Sequence, residues 1–284
     1  MGNTNTVPDN ELEQRYEKYK ATLRELTIMS DIFMRNVFKK RECIEYVLRI
    51  IMEISDLHIL EQTVQKDYKN LQGRSAILDC VARDDKNKHY NVEVQQETEG
   101  ASYKRARYHS GLLDMNTLNP GQDYEELPDS YVIFITRDDV PGKGLPIYHI
   151  DRYIKETGEM FGDGSHIIYV NSKLQNPDTE LGKLMHDLHC KNADEMYSEI
   201  LAKRVYELKE TEEGIDNMCK EMDWIYKEGE LSGEAKGEIR GEMKERRKNA
   251  IALNKKGMSS KEIAEILCEK EDIIEEWISE NVIV

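Results

Sequence analysis

A chain of 284 residues, 39% hydrophobic and 34% charged, is polar yet long enough for one large domain, or a domain with an appendage. Its 40 Lys/Arg against 56 Asp/Glu leave a net charge of −16, which excludes a general phosphate-neutralising binder and confines any contact with DNA to local basic patches. No apolar run reaches the roughly 18 residues of a membrane span, the N-terminus has no apolar signal core, and the five cysteines (Cys43, Cys80, Cys190, Cys219, Cys268) form no C-x-x-C pair. A reduced, cytoplasmic protein without membrane contact, disulfide framework or zinc-binding cysteine cluster is therefore expected.

Residues 1–26 read as a polar tail entering a helix. At Ser30-Asp31 a capping residue precedes Ile32, Phe33, Val37, Phe38, Ile44, Val47, Leu48 and Ile51, a helical spacing that predicts one or two helices from Asp31 to Glu53. Leu57 to Gln65 alternates as a strand does, and Asp67 to Arg74 is a polar loop.

The stretch Gly73 to Gln96 predicts two strands joined by the charged turn Asp84–Lys88. Ser75–Ala82 is apolar apart from Asp79. In Tyr90–Gln96 the side chains alternate, with Val92 and Val94 on one face and Glu93 and Gln95 on the other. Hairpin pairing brings Asp79 beside Glu93. Burying an unpaired carboxylate costs several kcal/mol, a cost that a bound cation would offset.

After Gly100, ASYKRARYHSGLLDMNTL predicts a helix on which Lys104, Arg105 and Arg107 cluster without an acid, flanked by Tyr103 and Tyr108. The cluster suits either a phosphate-holding surface or a basic turn that pairs with nearby acids. Tyr131–Thr136 is a continuous apolar run, as in a central strand buried on both faces. Leu145–Ile154 and His166–Asn171 are strand-like, while Leu181–Leu188 and Ala193–Leu208 return to helical spacing. His186, His189 and Cys190 share a helix face without a second ligand set nearby, which points to packing rather than a metal.

Composition shifts after Thr211. Gly229, Gly233, Gly237 and Gly241 recur at every fourth position of an otherwise helix-forming segment, which makes it either a weakly helical linker or a close-packed pairing face. Lys236–Lys256 holds eight Lys/Arg against three Glu and is a second basic patch. The segment that follows has the outline of a helix-turn-helix. Its second helix carries Glu271, Asp272, Glu275 and Glu276, which suits protein packing better than base reading.

Asp79 followed by Glu93-Val94-Gln95, in the ordered company of SDIFMRNVF, KNLQGRSAILD, YNVEVQ, YKRARYHSGLLD, LPDSYVIFIT, LPIYHIDRYI and HIIYVN, resembles the Rpn group, the recombination-promoting nucleases also described as PD-(D/E)XK family transposases. The resemblance covers Thr27 to Glu228. It implies an α/β, restriction-endonuclease-like mixed sheet flanked by helices over residues 27–210, with 211–284 as a helical C-terminal extension. It further implies a metal-dependent DNA endonuclease linked to recombination or mobile elements. Asp79, Glu93 and the Val94 carbonyl would hold Mg²⁺, with Mn²⁺ as the alternative ion and Glu45 as a further candidate ligand. An Asp opens the family's first helix, and a basic residue follows it; Asp31 and Arg35 fit those places. Gln95 stands where the family motif has Lys; an amide cannot serve as a general base but can orient water. Lys104, Arg105, Arg107 and Tyr108 would meet the phosphate or the DNA. The rival reading is a non-catalytic interaction or regulatory protein that keeps the nuclease fold. On either reading the C-terminal helices are the candidate surface for a homo-oligomer.

Overall fold

The structure, a computed structural model, describes residues 9–68 and 76–282. It contains a unit running to Cys219 and a second unit over Lys220–Val284. The first is built on a six-stranded mixed sheet in the order β1-β2-β3-β4-β6-β5. Its strands are β1 (Ile59–Tyr68), β2 (Ala76–Asp84), β3 (His89–Gln95), β4 (Ser130–Thr136), β5 (Ile147–Ile150) and β6 (Ser165–Asn171). β1, β2 and β3 pair antiparallel, β3, β4 and β6 run parallel, and β5 closes the edge antiparallel to β6.

Within the stretch expected to be a polar tail entering a helix, Asp9–Glu25 forms helix α1. The apolar spacing of the next segment resolves into α2 (Asp31–Phe38) and α3 (Arg41–Ile51), broken at Lys39 and Lys40. Ser30 is the N-cap of α2 but makes no side-chain cap bond, so the expected cap is one of position only. α2 packs against β1, β2 and β3, with Phe33, Val37, Phe38, Ile44, Val47 and Leu48 all fully buried. The loop expected at Asp67 begins later, because β1 carries on to Tyr68; the rest of that segment and Ser75 lie outside the described residues.

Helix α4 (Tyr103–Met115) covers the sheet at β4 and β6. Ala101 and Ala106 meet Val132, Phe134 and Tyr169 there. The alternate residues Ile133 and Ile135 are equally buried, as the continuous apolar run of β4 requires. Helices α5 (Glu180–His189) and α6 (Glu199–Glu210) complete the layer around α3. Asp187, fully buried, starts α6 by accepting the Tyr197 and Ser198 N–H groups at 2.8 Å each.

Lys209 ties the unit shut. Its ammonium donates to the carbonyls of Arg24 (3.1 Å), Leu26 (2.5 Å) and Lys191 (2.7 Å) and lies 4.9 Å from the centre of the Phe33 ring. Residues 211–219, assigned to the extension from composition, belong to this first unit. Gly214 seats against the Glu207 carbonyl with no room for a Cβ, and Met218 and Cys219 are buried.

Helix α7 (Glu212–Lys255) is continuous through the glycine tetrad. A Cβ at Gly229, Gly233, Gly237 or Gly241 would meet nothing within 4 Å, so the tetrad is helical but is not a packed face of this chain among the described residues. In the second unit α8 (Ser260–Leu267) starts with a Ser259/Glu262 capping box, and α9 (Glu271–Val282) follows. Ala250, Ile263, Ala264 and Ile274 form their shared core.

Candidate metal and catalytic site

The pairing of β2 with β3 ends at Cys80–Val92. Beyond that rung β2 stays with β1 and β3 stays with β4, so the sheet forks. Asp79 and Glu93 are the next residues on either side, and their carboxylates take the place of the missing rung. Glu93 Oε1 accepts the Asp79 N–H at 3.2 Å, and Asp79 Oδ2 accepts the Val94 N–H at 3.1 Å. The adjacency expected of Asp79 and Glu93 is thus present as a reciprocal pair of side-chain bonds.

The electrostatics of the pair are unfavourable. Glu93 is 0% exposed and Asp79 partly buried. Burial first, and then the neighbouring Glu93 charge, push the Asp79 carboxyl up to about 8, against the opposing Val94 N–H bond. The charge of Asp31, at the first turn of α2, adds to the rise. Asp31 is therefore the helix acid that the fork feels. It is held by Arg35 at 2.8 Å, which also donates to Gln65 at 2.9 Å.

Glu45 is accounted for elsewhere. Its carboxylate takes Arg49 at 2.7 Å, the Ile59 N–H at 2.8 Å and His58 at 2.9 Å, tying α3 to the start of β1. Both oxygens of Glu45, a further candidate ligand from the sequence, are thus engaged in that tie.

The Val94 carbonyl faces the fork. Arg137 N–H donates to the Gln95 carbonyl, so the odd residues of β3 bond toward β4. In a parallel ladder the intervening residue turns its N–H and C=O to the other side, which for Val94 is the side where its N–H meets Asp79. Gln95 lies over Gly100, with Oε1 only 2.2 Å from where a Cβ would sit; Arg105 Nη1 is 3.8 Å from the same point. The glycine is thus the space that Gln95 occupies.

The basic cluster divides into two faces. Arg105 turns inward, its Nη2 3.5 Å from Glu93 Oε2 and its Nε 3.3 Å from His109 Nε2. Arg107 is two residues on, about 200° around a helix of 3.6 residues per turn. It is exposed and, with Lys104, Tyr108, Gly111, Leu112 and Met115, lines a shallow groove of about 250 Å³ on the outer side of α4. Arg105 thus stands at the carboxylates, while Lys104, Arg107 and Tyr108 do not.

Sequence reading missed two residues beneath the fork. His109 is 2% exposed, with Nδ1 3.4 Å from Glu93 Oε1, too poorly aligned for a hydrogen bond. Asn91, fully buried one step back on the face of Glu93, has both amide atoms unpaired among the described residues. The available signal was spacing: His109 follows Arg105 by four residues, one turn along the inward face.

His186, Asp187 and Cys190 come within 4.8 Å of one another. The Cys190 sulfur is 3.4 Å from Nδ1 and 3.8 Å from Nε2 of His186, which puts it over the ring rather than on an in-plane lone pair. Asp187 is committed to α6, and burial pushes the Cys190 thiol up to about 12. The packing role expected of this helix end agrees with that arrangement.

Hard oxygen donors meeting in a buried, acidic fork suit a divalent cation. Residues 41–232, more than half of the chain, match the family of PD-(D/E)XK nuclease family transposases. The chain belongs to that family. No curated protein and no solved structure matches it.

Proposed function

We propose, from membership of the PD-(D/E)XK nuclease family transposases, that this chain is a metal-dependent DNA endonuclease that serves recombination or the movement of a mobile element. The observation that supports it best is the fork. Asp79 and Glu93 replace a ladder rung, and the proton that Asp79 retains marks a charge deficit that a cation would fill. In this reading Asp79, Glu93 and the Val94 carbonyl hold Mg²⁺, or Mn²⁺ in its place. The ion, when bound, lowers the pKa of a water and polarises the phosphate.

The remaining steps belong to the chain itself. Asp79 gives up its proton as the site loads, because the two carboxylates need no longer repel each other. Gln95, seated over Gly100, orients the attacking water or donates its amide to a phosphate oxygen. It supplies no positive charge; Arg105, at the Glu93 carboxylate, is the nearby cation. The outer groove of Lys104, Arg107 and Tyr108 offers a path for DNA away from the ligands. No helix among the described residues is long and apolar enough to cross a membrane, in keeping with a cytoplasmic DNA enzyme. The exposed Leu231 and Met243 of α7 suit association with a second copy.

The test is nicking of supercoiled plasmid in Mg²⁺ and in EDTA by wild type, Asp79→Ala and Glu93→Ala, with calorimetry of ion binding. Metal-dependent nicking by wild type alone is the expected result. Equal nicking by all three would mean a contaminant or another site. Absence of both nicking and Mg²⁺ binding would favour the interaction-protein reading, which the net charge of −16 also supports.

A further inference from the structure

His109 stands against the inner side of Glu93, between that carboxylate and Arg105. Its two ring nitrogens are not equivalent. Nε2 receives Arg105 Nε at 3.3 Å. A guanidinium has donors and no acceptor, so Nε2 must present its lone pair and the ring proton is assigned to Nδ1. Nδ1 in turn has no hydrogen-bond partner among the described residues, and Glu93 Oε1 lies 3.4 Å away. The ring is tilted against Phe134 with centroids 5.9 Å apart, which limits its rotation.

We propose that His109, its tautomer set by Arg105, is a positioning residue that holds Glu93 for the cation. The inference rests on the reading of Asp79 and Glu93 as metal ligands. Its physical basis is geometric. A buried N–H with no other partner lies 3.4 Å from Glu93 Oε1, and a small shift of that carboxylate brings the two into a hydrogen bond. Arg105 fixes the ring from the far side by donating to Nε2, while its Nη2 reaches the other oxygen of Glu93 at 3.5 Å. Partners that orient a metal ligand in this way typically change metal affinity or activity about 10–100-fold when removed.

Two measurements on the full chain test it. Long-range ¹H–¹⁵N spectra of wild type in EDTA report the His109 tautomer directly; a proton on Nδ1 and a lone pair on Nε2 are expected, and the reverse tautomer overturns the proposal. Mg²⁺ titration by calorimetry then compares wild type, His109→Leu and His109→Asn. The Leu variant removes the donor and should bind Mg²⁺ about 10–100-fold more weakly. The Asn variant, whose amide N–H reaches close to the place of Nδ1, should recover most of that affinity. Equal binding by all three, or an Asn variant as weak as the Leu variant, refutes the positioning role. Should the Leu variant fail to melt cooperatively, Arg105→Gln takes its place: it frees Nε2 and should weaken Mg²⁺ binding and populate the other tautomer. A wild type with the expected tautomer but no Mg²⁺ binding would instead sink the metal reading, and this role with it.

Discussion

Asp79→Asn is expected to stabilise the ion-free protein at alkaline pH. The Asp79 carboxyl sits up to about 8 in the fold, against about 3.9 in an unfolded chain. The folded state therefore holds a proton that the unfolded state releases between those values. Stability is intact below about pH 4, falls as pH rises toward 8, and levels off above it. Four units at about 1.4 kcal/mol each set a ceiling of about 6 kcal/mol. Asp79 is partly exposed, so solvent screening brings the expected gain to about 2–3 kcal/mol. Asn retains an oxygen for the Val94 N–H and adds an amide donor beside Glu93. For a folded unit of this size the gain amounts to roughly 5–10 °C in melting temperature. Thermal melts in EDTA at pH 5 and pH 8 are the assay. The variant should melt higher at pH 8 and show little advantage at pH 5, while added Mg²⁺ should raise the wild type and leave the variant unmoved. A variant that melts no higher at pH 8, or gains equally at both pH values, would refute the account of the fork as an unneutralised acid pair.

Arg105→Gln should cost about 10–100-fold in nicking, whereas Arg107→Gln should leave Mg²⁺ binding intact and chiefly weaken DNA binding, lowering its salt slope by about one. Gly100→Ala should hardly change the melting temperature, because a flexible amide end gives way, yet it should cut nicking by displacing Gln95; full activity would show that Gln95 has no role where it sits. A chain ending at Glu228 should keep a cooperative melt. One ending at Lys209 loses the buried Met218, Cys219 and Met222 and should melt at least about 10 °C lower or aggregate.

Much of the fork was legible in the sequence because a period of two is hard to mistake. Asp79 in an apolar strand and the Val92/Glu93/Val94/Gln95 alternation place two acids on facing positions once the turn is recognised. What remained hidden were facings set by tertiary packing. Asp31 and Glu45 are both helix acids; only the seating of α2 against β1–β3 and the tie of Glu45 to the Ile59 N–H show which one the fork feels. Lys104, Arg105 and Arg107 read as one patch, although helical geometry alone separates Arg105 from Arg107. The boundary at Thr211 followed composition, but Gly214 is needed where two backbones touch, and such a glycine looks in sequence like a flexible one.

The Lys209 clasp bears on how the unit is assembled. The acid fork is local: Asp79 and Glu93 are 14 residues apart, and Glu93 and Arg105 only 12. The bond from Lys209 to the Arg24 carbonyl spans 185 residues. Closing so long a loop is entropically unfavourable until most of the core exists, so this contact belongs among the last to form. During synthesis the acid hairpin emerges long before the lysine that seals the first helix to the last of its layer. A nascent chain thus passes through a stage in which the acid hairpin is made but its enclosure is open, and the unit closes only as its sixth helix docks.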